Sequence, residues 1–180
     1  MKAVVALLAL LAAPVAAQDL TPLEGPGVAA LMRHAIASGT SDPEAFEIDD
    51  CATQRTLSDT GEEQARKIAR TLHEAGIEFD QVWSSLWCRA FSTAELLDVG
   101  EVVPFPPLNS FFDGRGDRAR QTRDVLQALD KLDEDARVLL VTHQVNITEL
   151  TGIFPGSGEI IGARRTEDGL EVVGRVAIGP

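Results

Sequence analysis

The chain is poor in the residues and motifs that build metal sites and several common enzyme sites. It contains two cysteines, three histidines and no tyrosine in 180 residues. The cysteines form no CxxC pair and the histidines no HxxxH or HxH pair, which argues against a zinc site. There is no GxSxG elbow of the α/β-hydrolase type, and the GSG at residues 156–158 follows no predicted strand, as a dinucleotide fingerprint would. We therefore expect neither a metal nor another cofactor.

The net charge and the lengths of the apolar runs argue against binding to nucleic acids and against a membrane span. The formal net charge is −12, so nucleic acids and anionic membranes would be repelled. After residue 13 no apolar stretch is long enough to span a bilayer. We expect no nucleic-acid partner and no membrane span, and any phosphate site must be a local cationic pocket in an acidic protein.

The first seventeen residues have the pattern of a secretory signal peptide. Lys2 precedes an uninterrupted apolar run over residues 3–13, and Pro14 and small residues up to Ala17 follow. The run is shorter than the ~20 residues that a membrane span requires. We expect cleavage after Ala17, one domain over residues 18–180, and a periplasmic or secreted location. In an exported chain Cys51 and Cys88 are expected to form a disulfide, with two buried free thiols as the open alternative.

Predicted strands and helices alternate along the chain. Apolar runs at residues 28–32 and 138–141 predict buried strands, and residues 79–83 are predicted to form a further short strand. Helical spacing predicts helices over residues 60–76, 90–97 and 118–132, the first with Thr60 as its N-cap. Two segments without periodicity are predicted to be loops, at residues 38–56 and 102–116, and we expect the second to cross the candidate ligand site described below. A short helix from residue 147 and a hairpin over residues 158–177 are predicted to follow. This order predicts an α/β fold, a three-layer sandwich with a mostly parallel central sheet.

Polar residues follow three of the predicted strands. Arg33 and His34 follow the first strand, two serines and then Arg89 follow the second, and His143 follows the third. The carboxyl ends of parallel strands share one edge of a sheet, where ligand sites form in open α/β folds. Guanidinium groups bind phosphate oxygens as forks, and an imidazole can carry a phosphoryl group covalently. From spacing alone, surface ion pairs and structural histidines remain an alternative.

Four segments, in this order, resemble the motifs of the histidine phosphatase superfamily, which has the phosphoglycerate mutase-like fold. They are LMRHA at residues 31–35, LSDTGEEQA at 57–65, SSLWCRAFSTA at 84–94 and VLLVTH at 138–143. The resemblance covers residues 28 to about 152. It implies that His34 is the phosphorylated nucleophile and that Arg33, Arg89 and His143 hold the phosphoryl group.

The chain departs from the family pattern in three places, two of which concern an acidic residue. Ala35 replaces the usual glycine, and the usual glutamate proton donor has no clear counterpart. Gln144 stands where the acid-phosphatase branch has an aspartate. Asp113 is our candidate proton donor, with Asp117, Glu159 or no donor as alternatives.

The resemblance implies an exported phosphatase that hydrolyses phosphomonoesters through phosphohistidine on His34. We expect a small phosphorylated substrate, and one candidate class is a cell-envelope sugar phosphate. A phosphoryl-ligand binding or sensory protein with little turnover and a phosphoprotein (phosphohistidine) phosphatase are the alternatives.

Overall fold

The computed structural model describes residues 18–179, and the predicted signal peptide at residues 1–17 lies outside the described residues. The strands are β1 (Val28–Arg33), β2 (Gln81–Ser84), β3 (Val102–Pro104), β4 (Val138–Thr142), β5 (Ile160–Thr166) and β6 (Gly169–Val176). The helices are α1 (Asp59–Glu74), α2 (Cys88–Leu97), α3 (Arg118–Leu129) and α4 (Gln144–Thr151). The predicted α/β class is confirmed.

The strands form one six-stranded sheet in the order β3-β2-β4-β1-β5-β6. Strands β3, β2, β4 and β1 are parallel to one another, while β5 and β6 run antiparallel to their neighbours. The register places Arg33 opposite Thr142 and Ser84 opposite Val141. Three parallel strands therefore end side by side, and the residues after them meet at one edge, as predicted.

Each face of the sheet is covered by its own apolar core, which gives the three layers. Alternate residues of β1 point to opposite faces. Ala30 and Met32 pack with Ile68 of α1 and Leu97 of α2 on one face, whereas Leu31 packs on the other face. The second core also contains Val125 and Leu129 of α3 and Ile147 of α4. Helices α1 and α2 thus cover one face, and α3 and α4 the other.

Three local predictions were wrong. Helix α1 is capped by Ser58, whose hydroxyl accepts the Gly61 N–H at 3.1 Å, so the capping serine lies two residues before the predicted Thr60. The segment 102–116 is not wholly a loop, because its first three residues pair with β2 as the edge strand β3. Helix α4 begins at Gln144, immediately after the second buried histidine, rather than at residue 147.

Candidate active site

A cavity opens at the edge of the sheet where β1, β2 and β4 end. Its volume is about 120 Å³, below the roughly 300–1,000 Å³ of sites for drug-sized ligands. It therefore fits a phosphoryl group and the atoms joined to it. Its lining includes four arginines, both buried histidines and two aspartates: Arg33, Arg55, Arg89, Arg115, His34, His143, Asp42 and Asp113.

His34 keeps an unprotonated Nε2 atom beside Arg89. Its Nδ1 lies 2.8 Å from the carbonyl oxygen of Ala35, and because a carbonyl can only accept, Nδ1 carries the ring proton. Burial, and then the positive charge of Arg89, lower the pKa of His34 to about 3. The imidazole is therefore neutral at pH 7, with the lone pair of Nε2 available for attack on phosphorus.

Arg89 joins His34 to a carboxylate that the sequence analysis did not identify. Its Nε–H donates to Nε2 of His34 at 3.2 Å. Its Nη1 and Nη2 donate to the two oxygens of Asp42 at 2.8 and 3.2 Å, and the two side chains are only 5% and 8% exposed. Asp42 lies in the polar segment that we read as an irregular loop, where neither spacing nor periodicity distinguishes it from its acidic neighbours.

The carboxyl of Asp42 is ionised. Burial alone would raise its pKa, but the hydrogen bonds and positive charge of Arg89, with the indole N–H of Trp87, hold the pKa of Asp42 below its ordinary value. The indole nitrogen donates to Oδ2 at 3.2 Å. Asp42 is consequently an acceptor in this site and not a source of protons.

Two further arginines line the cavity in different ways. Arg33 donates from Nη1 to the carbonyl oxygen of Pro155 at 3.0 Å, and its Nε is buried without a partner in the described part of the chain. Arg55, which the sequence analysis missed, donates to the carbonyl oxygens of Ser38 and Thr40 at 2.6 and 2.8 Å. These bonds hold a cation of the polar loop beside Arg33. Its place two residues before the LSDTG segment is the only sequence signal that could have identified it.

Arg115 is at the rim of the cavity and is exposed. Its guanidinium lies 4.7 Å from the ring centroid of Phe46. That ring stacks on Trp87 with centroids 4.8 Å apart. The aromatic pair thus supports a cation at the rim of the cavity.

His143 is buried and packs edge-on against His34, with ring centroids 5.4 Å apart. Its Nε2 is 2.8 Å from the hydroxyl oxygen of Ser85, which is also 3.2 Å from Oδ1 of Asn109. Burial, and then the proximity of His34 and Arg89, lower the pKa of His143 well below its ordinary value. In the free protein this second imidazole is therefore neutral.

The first turn of α4 adds backbone donors to the cavity. Gln144 and Val145 line it, and the first hydrogen bond within the helix runs from the Ile147 N–H to the carbonyl of His143. The amides before Ile147 therefore have no partner within the helix. Such a helix end favours a negatively charged ligand.

The candidate donor Asp113 lies on the rim, exposed, with a left-handed φ of 59°. This conformation is typical of a turn residue, and Gly114 follows it directly. Phe112, which would have to enclose its carboxyl, is itself 53% exposed. The structure thus places Asp113 at the cavity but does not bury it.

The other two candidates are engaged elsewhere. Asp117 caps α3 by accepting the Arg120 N–H at 3.0 Å. Glu159 accepts from Arg175 at 2.6 and 2.9 Å, and these hydrogen bonds lower the pKa of Glu159. Neither residue lines the cavity. Gln144 does line it, but its amide donates to Thr148 at 2.8 Å and is not an acid.

A disulfide joins Cys51 to Cys88, as expected. Cys88 directly precedes Arg89, and Cys51 lies in the loop that carries Asp42 and Arg55. The bridge therefore fastens the loop to the helix that supplies Arg89.

The LSDTGEEQA segment supports the site from outside the cavity. Gln64 accepts the Ile36 N–H at 3.1 Å and donates to the carbonyl of Ser157 at 2.9 Å. A side chain at Gly61 would clash with the carbonyl of Ile36, so only glycine allows α1 to approach this backbone. The motif thus holds the chain that follows His34 in place.

Over residues 18–179, no group of three or more His, Cys, Asp or Glu side chains is arranged to hold a metal ion. No helix in that range is both long and apolar enough to cross a membrane.

The fold and the site define an α/β protein with a small cationic cavity at the carboxyl edge of its sheet, and comparisons with known proteins agree with this fold. The family model described as histidine phosphatase superfamily (branch 1) matches residues 29–109, which include Arg33, His34 and Arg89. An uncharacterised protein of Picosynechococcus sp. is 30% identical over 97 residues, which cover 53% of this chain and 56% of that protein. The match thus spans little more than half of the relative's length.

Solved structures share the fold at low identity. The protein histidine phosphatase SixA, complexed with tungstate, has a TM-score of 0.62 at 19% identity, covering 83% of this chain and 96% of that one. A phosphoserine phosphatase mutant from Entamoeba histolytica, in complex with phosphoserine, has a TM-score of 0.62 at 16% identity, covering 82% and 95%. The chain therefore shares the fold of these phosphatases, and its residues 29–109 match the family model of the histidine phosphatase superfamily (branch 1).

Proposed function

We propose that the protein is a phosphatase that hydrolyses phosphomonoesters through a phosphohistidine formed on His34. The observation that carries this proposal is the neutral imidazole of His34, whose Nε2 lone pair lies 3.2 Å from Arg89 Nε in a cavity lined by four arginines. The arginines supply the charge that binds a phosphate dianion, and the lone pair supplies the nucleophile.

Two displacements at phosphorus complete the reaction. In the first, Nε2 forms a bond to phosphorus while the bond to the ester oxygen breaks, and the leaving oxygen takes up a proton. The imidazole keeps its Nδ1 proton and becomes positively charged, and the Ala35 carbonyl stabilises that charge. In the second, water attacks phosphorus, the P–N bond breaks, phosphate and a proton are released, and His34 returns to its neutral state.

His143 is neutral in the free protein because it is buried near cations. A bound dianion favours the protonated imidazole, so we expect His143 to gain a proton with substrate and to donate to a phosphoryl oxygen. The arginines would then stabilise the charge that spreads over those oxygens in the transition state.

Leaving groups of low pKa should be preferred. Asp42 is held ionised by Arg89, and Asp113 is exposed on the rim, so no buried carboxylic acid of the described residues faces the leaving group. An alkoxide needs a proton to leave, whereas a nitrophenolate does not. This feature also favours phosphohistidine in a protein as a second candidate substrate, and SixA is described as a protein histidine phosphatase. A cell-envelope sugar phosphate remains a prediction.

Phosphate release should be measured over nitrophenyl phosphate, glycerol phosphate, a sugar phosphate and a phosphohistidine peptide. The wild type should release phosphate, and rapid acid-free quenching should yield a peptide containing His34 with one added phosphoryl group. His34→Ala should lose both signals, with residual turnover on the order of a percent. His73→Ala is the matched control, because His73 is exposed on α1 and bonds only the Asp98 carbonyl.

Two results would contradict the proposal. Turnover that persists in His34→Ala would exclude His34 as the nucleophile. Tight phosphate binding by the wild type without release from any substrate would favour the phosphoryl-binding or sensory protein.

We also propose that the protein is exported, on the sequence of residues 1–17 alone. Expression with the native start should give a mature N-terminus at Gln18 outside the cytoplasm. A cytoplasmic protein that begins at Met1 would contradict export.

A further inference from the structure

We propose that Asp42 is the positioning residue for Arg89, and that it turns the Nε edge of the guanidinium toward the phosphoryl group on His34. The inference rests on the proposed function and concerns a residue outside the motifs of the family resemblance. It starts from the hydrogen bonds that Arg89 makes along two adjacent edges of its guanidinium group.

A guanidinium is planar and carries its five N–H bonds in a fixed arrangement. Asp42 takes the end-on edge, with bonds of 2.8 Å from Nη1 and 3.2 Å from Nη2. The side-on edge faces His34, and Arg89 Nε lies 3.2 Å from His34 Nε2. This edge consists of the Nε–H and the second N–H of Nη2. Because the group is rigid, fixing one edge fixes the direction of the other.

Asp42 is itself held in place from several sides. Oδ2 accepts the indole N–H of Trp87 at 3.2 Å, and Oδ1 accepts the backbone N–H of Arg55 at 3.3 Å. Each carboxylate oxygen thus has one partner besides Arg89. The pair is almost completely buried, and loss of one partner would leave a buried charge unpaired.

The carboxylate also adjusts the charge of the cavity. Four arginines and two aspartates line it, and both histidines are neutral, so the balance is 4 − 2 = +2. In the free protein this equals the charge of a phosphomonoester dianion with the opposite sign, and the proton that His143 is expected to gain with substrate adds one positive charge. Asp42 therefore prevents an excess of positive charge while it keeps Arg89 aimed at phosphorus.

A competing arrangement is that Asp42 occupies the place of the phosphate on Arg89 and must be displaced. The two arrangements predict opposite effects of Asp42→Asn. Removal of a negative charge from the cavity should by itself tighten anion binding, and removal of a competitor would tighten it further. Loss of the positioning contact should instead weaken anion binding, because Arg89 would no longer point its Nε edge at the anion.

The experiment compares wild type, Asp42→Asn and the control Asp49→Asn. Asp49 lies in the same loop, is exposed and does not line the cavity, so its variant removes the same charge without touching Arg89. We expect Asp42→Asn to weaken vanadate binding roughly tenfold and to lower kcat roughly 10- to 100-fold, with a smaller change in KM. Asp49→Asn should resemble the wild type in all three quantities.

Tighter vanadate binding by Asp42→Asn, or a kcat equal to that of the wild type, would overturn the positioning role. A crystal with tungstate gives a second measurement, in case the variant is poorly folded. In the wild type the Arg89–Asp42 hydrogen bonds should remain, and the anion should bind to Nε of Arg89. An anion that binds Nη1 and Nη2 in place of Asp42 would favour the competing arrangement. The two anion-binding measurements do not need turnover, so a wild type that binds vanadate but hydrolyses nothing would refute the proposed function and still test Asp42.

Discussion

The Nε atom of Arg89 lies 3.2 Å from Nε2 of His34, so a permanently protonated group donates a hydrogen bond to the lone pair of the proposed nucleophile. Because Arg89 cannot give up its proton at any working pH, Nε2 must act as the acceptor. Arg89 comes from the first turn of α2 and His34 follows β1, so the contact joins two elements that are distant in sequence. Burial, and then the positive charge of Arg89, lower the pKa of His34 to about 3, so the imidazole stays neutral far below pH 6.5.

One anion should contact three arginines and the second buried histidine of the cavity. A crystal soaked with tungstate is expected to show a single anion bonded to Arg33, Arg55, Arg89 and His143, because all four line the same small cavity. An anion bound elsewhere, or one that touches fewer than two of these residues, would contradict a shared phosphoryl site.

The protein should lose stability as the pH falls below 6.5. Unfolded His34 takes up a proton near its ordinary pKa of 6.5, whereas folded His34 does so only near 3. Between these values the unfolded state binds more protons, so the free energy of unfolding falls as the pH falls. His34 alone should lower it by about 2 kcal/mol between pH 8 and pH 5.

Urea unfolding of wild type, His34→Ala and His73→Ala at both pH values measures this contribution. The difference between wild type and His34→Ala should shift by about 2 kcal/mol in favour of the variant at pH 5. His73→Ala should follow the wild-type curve. An equal difference at both pH values would show that His34 is not held neutral by the fold.

Asp113→Asn should not change the ratio of the hydrolysis rates of substrates with good and poor leaving groups. The exposed, left-handed position of Asp113 suits a turn residue, and asparagine tolerates that conformation. Initial rates with glycerol phosphate and nitrophenyl phosphate should therefore change by the same small factor. A large loss that is confined to glycerol phosphate would restore Asp113 as the proton donor.

Loss of the Cys51–Cys88 bridge should lower stability and disturb the site. The bridge spans 37 residues, and on the chain-entropy account it stabilises the fold by about 4 kcal/mol. The double variant Cys51→Ser, Cys88→Ser should unfold at lower urea concentration and should bind vanadate more weakly, because the loop with Asp42 and Arg55 is no longer fastened beside Arg89. Wild-type values for both would show that the other loop contacts suffice.

Sequence patterns predicted the fold and the residues that follow its strands. The apolar runs before His34 and His143 are strands buried on both faces, and such strands are parallel neighbours in α/β sheets. Their carboxyl ends therefore had to meet, and with them Arg33, Arg89 and the two histidines. Helix ends were less predictable: Ser58 and Thr60 are both good caps, and only the packing of Gly61 against the Ile36 backbone selects the first.

The sequence by itself thus determined the sheet and the two histidines at its edge, because apolar periodicity and strand direction are local properties of the chain. Only the tertiary structure decided that Asp42 and Arg55 complete the site. Both lie in a segment without periodicity, and their side chains are placed by Arg89, by Trp87 and by backbone carbonyls of the loop. Contacts of that kind join residues up to 47 positions apart, and such separations leave no pattern that a single sequence can show.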